Sequence, residues 1–132
     1  MFPMFLILDN YKVAIQEVER VTQAHRDYLG EAYRAGKLLI SGPRIPRTGG
    51  VIIACVKTRE EVDELIEGDP FHKQGIADYE VIEFKAIKYQ PVLSSIVRER
   101  AVFVRNAQVA VSLRAALRAT PIQRANPQKR AL

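Results

Sequence analysis

Cysteine is nearly absent: Cys55 is the only one in 132 residues. That excludes an internal disulfide framework and fits a reducing compartment, so a cytoplasmic location is expected. No apolar run approaches the roughly 18 residues of a membrane span, and no membrane partner is expected. The first ten residues, MFPMFLILDN, are apolar. They lack a basic n-region and a small-residue cleavage site, so a signal peptide is not expected either. Acidic residues are missing from one end: residues 91–132 carry 8 Lys/Arg and a single acid, Glu99, giving +7. Residues 1–90 carry 12 Lys/Arg and 14 Asp/Glu, giving −2. The overall charge of +5 therefore belongs to the end of the chain, and charge gives the body no reason to seek nucleic acid. Two further absences concern ligands. The stretch SGPRIPRTGG (41–50) lacks the phosphate-loop spacing, which argues against a nucleotide. His25, Asp69 and His72 lack the spacing of metal ligands. No metal or other cofactor is expected.

The segments that are present alternate in type. MFLIL (4–8) and VIIACV (51–56) are near-continuous apolar runs and read as strands buried on both faces, with Cys55 an inert thiol inside the second. KLLIS (37–41) reads as a strand entered through Gly36, which suits the left-handed end of a helix. YEVIEFKAIKY (79–89) places Ile82, Phe84 and Ala86 on one side and Glu83 and Lys85 on a wetter one. A helix is expected within 13–35, with Thr22 as the N-cap of a shorter version. Its apolar stripe holds Val21, His25, Tyr28, Leu29 and Ala32. A second helix is expected over 59–67, opened by Thr58 and Glu61 as a capping box and ended by Gly68. The order β-α-β-β-α-β predicts an α+β, ferredoxin-like subunit over residues 1–90. Its two helices cover one face of a four-stranded antiparallel sheet. The other face needs a cover, and a two-fold homodimer is the economical one. Residues 91–132 read as a basic C-terminal extension, helical in the middle or disordered, with a loose end. Nucleic acid or an acidic surface is the functional reading of that tail; a solvated extension is the plainer one.

Candidate chemistry centres on two residues. His25 lies inside the apolar stripe, where most histidines are packed core residues. A half-buried imidazole there can also serve as acid or base near neutrality. Asp69, in EGDPFHKQG, belongs to ordinary helix-ending punctuation. Yet Pro70 restricts the conformation of Asp69 and so fixes where its carboxylate points. Were the two to meet, Asp69 would orient the ring and stabilise its imidazolium form. Tyr28 follows His25 by one turn. Phe71 reads chiefly as a core plug and otherwise as a substrate platform, and His72 as a rim residue. The hairpin offers Ser41, Gly42 and Pro43 as close backbone, with Arg44 or Arg47 to attract a carboxylate.

Taken together, AHRDYL, AGKLLISGP, GGVIIACV and DPFHKQGIADYEVIEF resemble the YciI-like (YCII-related) family over about residues 3–89. The resemblance implies a dimeric α+β barrel of ferredoxin-like subunits and a small cleft with a His–Asp pair proposed as catalytic. Carried over, the pair is His25 and Asp69. Members with assigned or suggested roles include dehydrochlorinase-like and lactone isomerase-like enzymes of aromatic breakdown. The expected function is thus proton transfer on a small anionic or aromatic-derived substrate, as an isomerase or lyase without a cofactor. The alternative is a ligand-binding or structural dimer without turnover, in which the pair only fixes helix to strand. The extension from Pro91 departs from the family's compact pattern.

Overall fold

The run MFLIL forms a strand, and it reaches further than its apolar core. In the computed structural model, which describes residues 3–97, β1 spans Pro3–Tyr11. Phe5, Ile7 and Asp9 share one side of this strand by the two-residue period, and all three are buried. Helix α1 spans Ile15–Arg34. It starts well before Thr22, with Ala14 as an N-cap that offers no side chain. Thr22 is instead interior, and its hydroxyl donates to the Val18 carbonyl at 2.7 Å. The helix stops where Gly36 turns to φ +74°. There the Gly36 N–H donates to Tyr33 O and the Lys37 N–H to Ala32 O, both at 3.0 Å. This pair of bonds satisfies carbonyls that the last turn leaves open.

Strands β2 (Leu38–Pro43) and β3 (Gly49–Ala54) make the hairpin. Cys55 follows the end of β3 rather than lying within a strand, and it is buried. Helix α2 spans Arg59–Gly68, and the Thr58 side chain accepts the Glu61 N–H at 3.2 Å. A short helix, α3 (Pro70–Lys73), follows at once and was not foreshadowed by the apolar pattern. Strand β4 covers Ala77–Lys85, starting earlier and ending sooner than its alternation suggests.

The sheet order is β2-β3-β1-β4, with every neighbouring pair antiparallel. This is the ferredoxin-like arrangement, with β1 central. Phe5, Ile7, Ile52 and Ala54 on the sheet pack with Ala32 of α1 and with Val62 and Leu65 of α2. A second cluster joins Val18 and Val21 of α1 to Phe71 of α3 and to Ile76. β4 turns Tyr79 and Val81 toward this core, so the apolar Ile82 and Phe84 lie on the opposite face.

Pro3–Lys85 form one compact unit, and residues 86–97 belong to another. In the second unit a 3-10 turn at Pro91–Leu93 leads into helical residues 94–97. What was expected of the extension further on lies outside the described residues. Among the described residues no helix is long and apolar enough to cross a membrane.

Candidate active site

Asp69 sits at a junction that its sequence neighbours dictate. Pro70 keeps the preceding residue extended, and Asp69 has φ −70° and ψ 126°. Its backbone N–H closes α2 by donating to Ile66 O at 3.1 Å. Its carboxylate opens α3, where Oδ1 accepts the Phe71 N–H at 2.9 Å. The same Oδ1 lies 2.8 Å from Nδ1 of His25, 44 residues away in the chain. Oδ2 accepts the Tyr79 hydroxyl at 2.9 Å. The carboxylate is 2 % exposed, so nearly all its bonding capacity is met by these three groups. With Asp69 as acceptor, Nδ1 carries the hydrogen and Nε2 keeps its lone pair.

The ring is held on its face as well. Phe71 stacks on His25 with centroids 3.9 Å apart and planes 3° from parallel. Tyr11 meets Phe71 edge-on at 5.9 Å, which backs the stack from β1. An imidazole with one nitrogen tethered and one face covered has little rotational freedom left. That is the condition a general base needs.

His25 looks into a cavity of about 320 Å³, within the size range of small-molecule sites. Asp9 of β1 and Arg26 of α1 line it beside His25. Ser41, Gly42, Pro43 and Arg47 close it from the hairpin, with Phe71 behind the ring. Tyr33 and Ser41, which also line it, share a 2.6 Å hydrogen bond between α1 and β2. Arg47 is the hairpin cation at this cavity; its Nη2 donates to Thr22 Oγ1 at 3.3 Å.

Other residues singled out from the sequence lie elsewhere. Tyr28 is outside the cavity lining, and its hydroxyl donates to Leu65 O at 2.8 Å, tying α1 to α2. Arg44 is also outside the lining and donates to Asn10 Oδ1. His72 is exposed and meets Tyr79 edge-on at 6.0 Å. Among the described residues no three His, Cys, Asp or Glu side chains gather as a metal ion would require.

Among the lining residues that escaped the sequence reading are Asp9, Arg26 and Tyr33. Asp9 carried a signal. It continues the two-residue series Phe5, Ile7, Asp9, which puts a carboxyl where the strand buries its side chains. The twin glycines Gly49 and Gly50 are the other half of that signal. A Cβ on Gly50 would lie 2.6 Å from Asp9 Oδ2, and one on Gly49 would lie 1.9 Å from Asp9 O. Burial pushes the Asp9 carboxyl above its ordinary value, and Asp69 adds to the effect. His25, the Gly50 N–H and Arg44 oppose it. Burial likewise drives the Tyr79 phenol up, with the Asp69 charge and hydrogen bond adding to it, so Tyr79 stays a donor.

The fold and site define a ferredoxin-like α+β domain that holds a His–Asp pair beside a small cavity on its helix-covered face. The model of the YCII-related domain matches residues 1–85, and the chain belongs to that family. Among solved structures it is similar to 5-chloro-2-hydroxyhydroquinone dehydrochlorinase from Burkholderia phenoliruptrix AC1100, in complex with 2,5-dihydroxybenzoquinone. Identity is 26 % and the TM-score 0.56, over 62 % of this chain and 93 % of that one. A comparison with curated protein sequences returned no match.

Proposed function

We propose that this protein is a cofactor-independent acid–base enzyme, with His25 as the proton-transferring group and Asp69 as its positioning partner. The observation that carries the reading is the 2.8 Å bond between His25 Nδ1 and Asp69 Oδ1 at the wall of a cavity. Asp69 holds the ring in one tautomer, and Nε2 accepts a proton from the substrate. Imidazolium forms against a carboxylate that is already in place, so little reorganisation accompanies the transfer. Arg26 and Arg47 favour a substrate with anionic or strongly polarised oxygens. The similar dehydrochlorinase binds a dihydroxyquinone, which supports a small oxygenated ring as the substrate class. Isomerisation or loss of HX from such a ring fits a single positioned base. Ser41, Gly42 and Pro43 supply the wall against which the ring would lie. A cytoplasmic setting agrees with a chain that carries a single cysteine, Cys55.

The working form in this reading is a homodimer. Its support is a row of apolar residues across the sheet face opposite the helices: Ile40, Ile53, Leu6 and Ile82 are paired in register from strand to strand.

The test is turnover of a panel of hydroxylated and chlorinated hydroquinones, followed by chloride release and by exchange of ring hydrogens with deuterated solvent. His25→Ala and Asp69→Asn are each expected to lower kcat/KM by about 10²–10⁴-fold on any compound the protein converts. Both should stay folded by circular dichroism. Full activity in both variants would reject the assignment. A drop in melting temperature with no activity in any form would favour a structural pair instead.

A further inference from the structure

The described mechanism leaves one buried group unused. Asp9 is 1 % exposed, yet it lines the same cavity as His25. Its Oδ1 has no hydrogen-bond partner among the described residues. Its carboxyl accepts the Gly50 N–H, and Gly50 has no side chain to crowd the adjoining Oδ2. An orphaned polar atom at such depth costs free energy, so a native site that keeps one needs an explanation. A structural origin is a poor one, since a leucine of the same outline would fill the position without that cost.

We propose that Asp9 grips a carbonyl oxygen of the substrate by donating a hydrogen bond, opposite the base His25. This rests on the acid–base reading above and names the chemical feature that the site recognises: a ketone or quinone oxygen next to an exchangeable C–H. The two groups come from different elements, β1 and α1, and both face the cavity. The upward displacement of the Asp9 carboxyl agrees with the acid form. Asp69 lies close enough for its charge to add to that displacement, while Arg44, and His25 once it has taken up a proton, oppose it.

The step balances as an enolisation. His25 Nε2 takes the proton from carbon, and the C–H bonding pair becomes the new C=C bond. The C=O π pair then takes the Asp9 proton as an O–H bond. Asp9 is left as carboxylate and His25 as imidazolium, so the charges created face each other and net charge is unchanged. Reversal on another carbon completes an isomerisation and restores both groups. If halide leaves instead, the enol O–H pair re-forms C=O and its proton returns to Asp9. The former enol C=C pair shifts to make the double bond at the carbon that carried halide, and the halide departs with the pair of its own bond. The imidazolium of His25 gives its proton to water.

The full-length protein and three variants test this with 2,5-dihydroxybenzoquinone by titration calorimetry. Solvent deuterium exchange into cyclohexane-1,4-dione is followed by NMR in parallel. Asp9→Asn keeps a hydrogen-bond donor and should bind within about threefold of the parent, while losing about 10²-fold or more in exchange because an amide does not release its proton. Asp9→Leu keeps the outline without the donor and should lose at least about tenfold in binding, the size of one lost hydrogen bond to a polarised oxygen. His25→Ala should bind the quinone and lose exchange. Equal binding by the parent and Asp9→Leu would overturn the proposal, and so would equal weakening in Asp9→Asn and Asp9→Leu. Failure of the parent to bind the quinone would also overturn it. Normal exchange in His25→Ala, with binding lost in Asp9→Leu, would remove the base assignment and leave Asp9 standing.

Discussion

A carboxyl buried in the wall of a cavity must show itself in the pH dependence of stability. Asp9 in the folded chain holds its proton more tightly than the ordinary value of 3.8. The folded state therefore binds more protons than the unfolded one between that value and the raised one. Stability from this group is fully present below about pH 4 and is lost as pH rises through the folded value. Asp9→Asn removes this slope. The stability of Asp9→Asn relative to the parent should then be greater near about pH 7 than near about pH 4, measured by urea denaturation at each pH. A difference independent of pH would mean that the carboxyl titrates alike in both states. At this scale the sequence was legible where chain chemistry was local. The proline after Asp69 announced a fixed carboxylate, and the place of His25 on the inner stripe announced a half-buried ring. That the two lie 2.8 Å apart was a matter of tertiary packing, as was the neglect of Asp9. A single acid at the end of MFLILDN looks like the edge of a strand until the depth of the strand is known.

Elements followed their boundary signals where packing did not oppose them. The capping residue Thr58 opened α2 as its sequence indicated, because Ser or Thr beside a helical run has few other uses. Thr22 broke the same rule: with Val18 and Val21 already buried in the core, apolar packing carried the helix back past it. Gly36 is the clearest stop. At φ +74° an L side chain is strained even though nothing lies within 4 Å of the built Cβ. Gly36→Ala should therefore cost about 1–2 kcal/mol with no steric clash to confuse the cause. Chemical denaturation would read this as a lower midpoint at an unchanged slope. α3 escaped notice because four residues give no periodicity to detect; its cap, Asp69, was already assigned to the end of α2. For β4 the alternation separated two faces without saying which one meets the helices, and packing turned Tyr79 and Val81 to them.

That orientation bears on the whole molecule. With Ile82 and Phe84 on the face opposite the helices, β4 adds to the apolar surface that Leu6, Ile53 and Ile40 already place there. Ile40 at 60 %, Ile82 at 43 % and Phe84 at 42 % exposure hold apolar surface toward water. Register places Ile40, Ile53, Leu6 and Ile82 in one line across all four strands, so the exposed groups form a continuous patch rather than scattered points. No element of Pro3–Lys85 lies over that line, since both long helices pack on the opposite side. A two-fold axis through the sheet would set the line against its own copy, which is self-complementary and closes the assembly at two chains. The proposed dimer predicts a mass of twice 14.9 kDa for the full chain by light scattering or sedimentation equilibrium. Replacing Ile40 and Ile82 together by glutamate puts charge at both ends of the line, where like charges would meet or lie unpaired in a desolvated seam. The double variant should sediment as a monomer while His25 and Asp69, on the covered face, keep their geometry and quinone binding. A parent chain that is monomeric at micromolar concentration, or a double variant that remains dimeric, would show that this face is not where two copies meet.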